Sequence, residues 1–157
     1  MSAGKGQQLE WVRATNGDIP ATGIAEGVER DGRPLFIARA FYKGGLHPGK
    51  AAPHLADGGF ELSWGGRVLR LNEYFVLCGD INRARWVPVS GAVPSAGSLR
   101  LVDGGHEESG LPLYIAKAAY NGSLQLGKAG SHLPNGMSFA FDNAERYKKD
   151  YFVLAYR

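Results

Sequence analysis

Residues 26–55 read EGVERDGRPLFIARAFYKGGLHPGKAAPHL, and residues 104–133 read GGHEESGLPLYIAKAAYNGSLQLGKAGSHL. Aligned without a gap, 16 of the 30 positions are identical, against about one in fifteen for unrelated segments of ordinary composition. The likeness runs outward with small shifts. Trp11-Val12 answers Trp86-Val87, and Tyr74-Phe75-Val76-Leu77 answers Tyr151-Phe152-Val153-Leu154. A unit of about 75–78 residues therefore occurs twice and accounts for nearly the whole chain. Any site made of repeated residues should exist twice.

Local patterning within each unit points to strands. Leu35–Tyr42 alternates strictly, with Phe36, Ala38, Ala40 and Tyr42 on one face and Leu35, Ile37, Arg39 and Phe41 on the other. Both faces are largely apolar, as in a strand covered on two sides. Further strands are expected at 9–14, 23–29, 46–50, 59–64, 67–71 and 73–77. The second unit repeats them at 86–89, 98–107, 113–120, 123–128, 137–141 and 151–155. Asn16-Gly17, Asp31-Gly32 and Gly65-Gly66 are turn dipeptides. Strands of four to eight residues with turns every eight to twelve read as an all-β domain. The one stretch compatible with a helical turn is 143–149. The organisation expected is a flexible N-terminal lead (1–10), a first repeat (11–78), a short link (79–85) and a second repeat (86–157). Each half alone has few residues for a core, so the two should share one.

Composition narrows the function classes. The chain has 157 residues, 23 glycines, 8 prolines and a formal net charge of +3. Lysines and arginines are scattered among acids, which argues against a nucleic-acid face. Cys78 is the one cysteine, so no internal disulfide exists, and its place after an apolar run predicts a buried thiol. The N-terminus MSAGKGQQLEW lacks the apolar stretch of a secretory signal. No segment approaches the roughly 18 apolar residues of a membrane span. A cytoplasmic protein without membrane insertion is expected, with unconventional release leaving no mark on the sequence.

The ordered set of Trp-Val, Gly-x-(Asp/Glu), Pro-Leu-(Phe/Tyr)-Ile-Ala-(Arg/Lys)-Ala, Gly-Lys and Tyr-Phe-Val-Leu, met twice between residues 11 and 154, resembles the DM9 repeat family. The resemblance implies a compact all-β protein whose tandem repeats interlock about a pseudo-twofold axis. It also implies kinship with mannose-binding lectins that recognise microbial surfaces. In that family an acid of the Gly-x-(Asp/Glu) element and the lysine of Pro-Gly-Lys hold the sugar. Those positions are Glu29 and Lys50 in the first repeat and Glu107 and Lys128 in the second. Two departures stand out: both copies carry Glu where Asp is common, and Leu126 replaces the usual proline.

The chemistry suits the ligand. A pyranose presents vicinal hydroxyls, each donor and acceptor, and a carboxylate with an ammonium can serve both. Gly49 and Gly127 beside the lysines would let backbone approach the sugar, and Tyr42 or Tyr120 could cover its C–H face. Trp64 is a second candidate platform. An exposed Glu–Lys pair contributes only about 0–1 kcal/mol, so exchanging either lysine for alanine is expected to spare stability. The competing reading makes the same residues structural salt bridges in a non-catalytic structural or protein-interaction domain. His54 and His132 recur in register without the spacing of a metal site, so no metal and no cofactor is expected. No paired carboxylates or nucleophile–base set indicates an enzyme. Mannose-type glycans are the expected partners, and a homodimer the expected assembly. Whether Glu29 faces Lys50 or Lys128 is open at this level.

Overall fold

The computed structural model describes residues 7–94 and 99–157. Residues 1–6 of the expected lead, and Ser98 at the start of the expected 98–107 strand, lie outside the described residues. The first repeat forms β1 (Glu10–Thr15), β2 (Ala25–Val28), β3 (Pro34–Tyr42), β4 (Gly45–Ala51), β5 (Phe60–Trp64), β6 (Arg67–Leu71) and β7 (Glu73–Cys78). The second forms β8 (Ala84–Ser90), β9 (Asp103–His106), β10 (Pro112–Tyr120), β11 (Ser123–Ala129), β12 (Met137–Phe141), β13 (Ala144–Lys148) and β14 (Asp150–Tyr156). A single 3-10 turn, Ile81–Arg83, joins them. The described residues contain no α-helix.

Seven strands answer seven, and pairing closes their centres into a ring. β3 pairs with β2 and β4, and β10 pairs with β9 and β11. The halves are sealed by β2 on β11, through Val28↔Leu124, and by β9 on β4, through Leu46↔His106. These two seams are the same contact under the repeat symmetry. Glycine makes each possible. A Cβ on Gly27 would meet the Leu124 carbonyl at 2.8 Å, and one on Gly105 would collide with that of Leu46. From the ring, β7–β1 and β14–β8 extend one pair of wings, and β5–β6 and β12–β13 another.

Burial follows this plan. Ile24, Leu35, Ile37 and Leu77 of the first repeat pack with Val102, Ile115, Leu126 and Leu154 of the second in one central core. Two lateral cores each belong to one repeat, around Phe60 and Tyr74 in the first and around Phe139 and Tyr151 in the second. The fold is thus a single all-β unit of two interlocked repeats, as anticipated. The stretch 143–149, the one compatible with a helical turn, is instead mostly strand β13. Asp142 and Asn143 take φ of 51° and 61°, a two-residue hairpin turn that folds Ala144–Lys148 back along Met137–Phe141. Cys78 is buried, its Sγ 3.5 Å from the Val76 carbonyl.

Arg39 and Lys117, charged residues inside an apolar strand, lie over tryptophan rings. The Arg39 guanidinium sits 4.0 Å from the Trp11 ring centre and the Lys117 ammonium 4.3 Å from that of Trp86. Lys117 also pairs with Glu26 at 2.9 Å, which accepts from the Trp86 indole at 2.6 Å. Both tryptophans flank the central core.

Candidate functional site

Glu29 follows β2 and lies close to His54, after β4. His54 Nε2 is 2.9 Å from Glu29 Oε2, and the second repeat reproduces this with His132 Nε2 2.8 Å from Glu107 Oε2. The recurring histidines are therefore partners of the recurring acids. No group of three or more potential metal ligands occurs among the described residues.

The lysines are not surface residues. Lys50 is 4% exposed and Lys128 3%. This overturns the picture of an exposed ion pair with little bearing on stability, because a buried ammonium must be solvated by the protein. The adjoining glycines serve this burial. A Cβ on Gly49 or Gly127 would collide with the carbonyl of Glu61 or Ser138 on the neighbouring strand. They permit close approach of β5 and β12 rather than of a ligand.

The structure decides which acid accompanies which lysine. Lys50 Nζ donates to Gln125 Oε1 at 2.7 Å, and Gln125 Nε2 lies 3.4 Å from Glu29 Oε1. Glu29 thus faces Lys50 through a glutamine of the opposite repeat. Glu107 likewise acts on Lys128, and there the opposite repeat supplies His47, whose Nδ1 is 3.0 Å from Lys128 Nζ. Gln125 and His47 occupy equivalent positions in the two repeats, so each cluster is completed across the seam.

The two clusters differ in how fully they are satisfied. Lys50 also donates to the Ala140 carbonyl at 2.9 Å and lies 3.7 Å from Glu61 Oε1. Its three N–H bonds face three acceptors, one a carboxylate. At the matching place beside Lys128 stands Ser138, the strand partner of Lys128 as Glu61 is of Lys50. Among the described residues Lys128 has one hydrogen-bond partner, a neutral imidazole, and no ion pair within 4.0 Å. Among the described residues Glu107 uses only Oε2, and His132 Nδ1 is buried without a partner.

Protonation follows from this. Burial pulls the Lys50 ammonium below the usual lysine range, opposed by Glu61 and Glu29. Burial lowers Lys128 to about 8, against the pull of Glu107 and Glu145. Burial, and next the Lys128 charge, lower His47 to about 4, so it is a neutral acceptor at pH 7.

Open space adjoins the first cluster. A shallow depression of about 560 Å³ is lined by Glu29, Arg30, Arg33, Asn121, Phe141 and Asp142, among others, so both repeats form it. Its aromatic side is Phe141, braced edge-on by Tyr120 with ring centres 5.0 Å apart. Trp64 holds the equivalent position in the other repeat, braced by Tyr42 at 5.4 Å. At the first cluster Phe141, and not Tyr120, is therefore the aromatic ring that lines the depression. Positions 47 and 125 differ between the repeats, so the roles of His47 and Gln125 carry no mark in the identities that single out Glu29, Lys50, Glu107 and Lys128.

A closed ring of six strands carrying two cross-repeat Glu–His/Lys clusters defines a tandem-repeat all-β protein. The family model for the DM9 repeat matches residues 2–56 and 44–148, and the chain belongs to that family. Among solved structures it is similar to the nematode sperm cell motility protein MFP2B, with TM-score 0.64 and 19% sequence identity. The likeness covers 95% of this chain and 46% of MFP2B, so the chain spans about half the length of that relative. A search of curated proteins returned no match.

Proposed function

We propose that this protein is a non-catalytic, carbohydrate-binding lectin for mannose-type glycans of microbial or other cell surfaces. Glu107 and Lys128 form its stronger site and Glu29 and Lys50 a weaker one. The observation that carries this is the unspent bonding capacity around Lys128: an ammonium with one neutral partner beside a carboxylate with a free oxygen. Sugar hydroxyls supply what each lacks. One hydroxyl accepts from the ammonium and an adjacent one donates to Glu107, adding charge-assisted bonds to the single ones each group makes with His47 and His132. Glu107 is the more exposed end of the pair and the side from which a sugar would enter. The reading draws further support from membership in a family that includes mannose-binding lectins.

The competing reading, a structural or interaction module without a sugar ligand, is favoured at one point. The Lys50 donors are all occupied within the protein, as a purely structural lysine requires. Calorimetric titration with mannose, glucose, galactose and N-acetylglucosamine separates the two. Binding in the micromolar to millimolar range, strongest for mannose, is expected of shallow polar sites. Heats equal to dilution for all four sugars contradict the lectin reading.

A further inference from the structure

The repeat symmetry is broken on the outer face of the wings, at Phe41 of β3 and its counterpart Ala119 of β10. Phe41 is 64% exposed and meets Phe75 of β7 edge-on, with ring centres 5.9 Å apart. In the second repeat Phe152 takes the place of Phe75, is 42% exposed, and has no ring partner among the described residues. With alanine at 119 a mainly apolar depression of about 480 Å³ opens beside Phe152, Pro88 and Val89. The corresponding depression at Phe41 is about 250 Å³. One chain therefore carries a projecting phenyl ring in one repeat and, in the other, the recess from which the equivalent ring is missing.

We propose that this face is a self-association surface in which Phe41 of one copy docks into the Ala119–Phe152 recess of a second copy. The fit is attested within the chain itself, since Phe41 on Phe75 displays the edge-on contact that a docked ring would make with Phe152. Charge agrees. The projecting ring is bordered by Arg13 and Glu73, exposed and 3.4 Å apart. The recess is bordered by Lys148 and Asp150, which form no ion pair among the described residues. Each border thus offers one acid and one base to the opposite charges of the other. The contact proposed runs head to tail, so each copy keeps one projection or one recess free for a further copy. A contact centred on a single ring is weak, so association rises with concentration.

Sedimentation velocity from about 10 μM to 1 mM protein tests this with two surface variants. Wild type is expected to exceed monomer mass progressively. Phe41→Ala lacks the ring and Ala119→Phe fills the recess, so each alone stays monomeric with an unchanged melting temperature. Mixed, one brings rings and the other recesses, since Phe41→Ala opens a second recess at Phe75 and Ala119→Phe adds a second ring at Phe152, so the two associate with each other into alternating assemblies above monomer mass. Wild type that remains a monomer throughout, or variants that associate as wild type does, overturn the proposal. So does a mixture that never exceeds monomer mass.

Discussion

Lys50 and Lys128 occupy the same place in two copies of one sequence motif and are equally buried, but they live in different company. Around Lys50 the chain supplies a carboxylate, an amide oxygen and a backbone carbonyl. Around Lys128 the described residues supply one imidazole nitrogen as a hydrogen-bond partner. The exchanges responsible are Glu61 for Ser138 and Gln125 for His47. A buried charge that is fully paired holds structure, whereas one left underpaired awaits a partner. On the proposed function, differences at neighbouring positions separate the roles of two otherwise like sites. The lesson is that an identical residue in two repeats need not have an identical job.

The largest effect expected from this difference is on stability. Lys50→Ala strands the Gln125 amide oxygen, the Ala140 carbonyl and part of Glu61, though Arg70 still holds Glu61 at 3.2 Å. Breaking a buried pair of this kind costs about 3–5 kcal/mol, which in a chain of this size lowers Tm by roughly 6–20 °C. Lys128→Ala removes a charge that has no ion pair and is expected to cost about 1 kcal/mol. Calorimetric melting of both variants checks the contrast, and equal losses would erase it.

The next effect is on binding against pH. Lys128 must be charged to donate to a sugar, and with its value near 8 the charged fraction falls about tenfold between pH 7 and 9. Mannose affinity should fall by a like factor. Stability responds with the opposite sign. The folded value lies below the unfolded 10.5, so the unfolded state binds more protons between about 8 and 10.5. This lysine's contribution to stability therefore rises with pH across that window. Affinity measured at several pH values, with melting in parallel, reads the two trends separately.

A smaller effect belongs to His47. Its folded value of about 4 lies below its ordinary 6.5, so the unfolded state takes up the proton first. Stability from this group is complete above pH 6.5 and is lost as pH falls toward 4. His47→Gln places at the second cluster the residue that the first has at 125, and it is expected to flatten melting temperature against pH between 4 and 6.5. Retention of the full wild-type slope would mean that other groups cause it.

Much of the fold was legible in advance because it rests on period-two alternation and turn dipeptides, both local signals. One exception was the expected 98–107 strand, of which the described residues form Asp103–His106 as β9 and an isolated bridge at Leu101; the other was β13. Its polar run Ala144–Lys148 has no alternation, and the Asp142-Asn143 turn lacks the glycine that marks the other hairpins. The clusters were half legible. Glu29, Lys50, Glu107 and Lys128, and the register of His54 with His132, stood out as identities between repeats. The burial of the lysines did not, since it depends on Gly49 and Gly127 drawing a neighbouring strand across them. Nor did Gln125 and His47, which reach their lysines only once the chain halves interlock. The sign that pointed to them was the difference itself, a histidine answered by a glutamine three residues before each lysine.

The most direct test of the division of labour is mannose titration of Lys50→Met and Lys128→Met, each normalised to folded protein. Methionine keeps the stem and removes the charge. A charged donor to a bound hydroxyl is worth about 1.5–3 kcal/mol, so Lys128→Met should bind mannose more than tenfold more weakly. Lys50→Met should melt earlier and retain near wild-type affinity per folded molecule. Loss of binding in Lys50→Met with wild-type affinity in Lys128→Met would contradict the assignment.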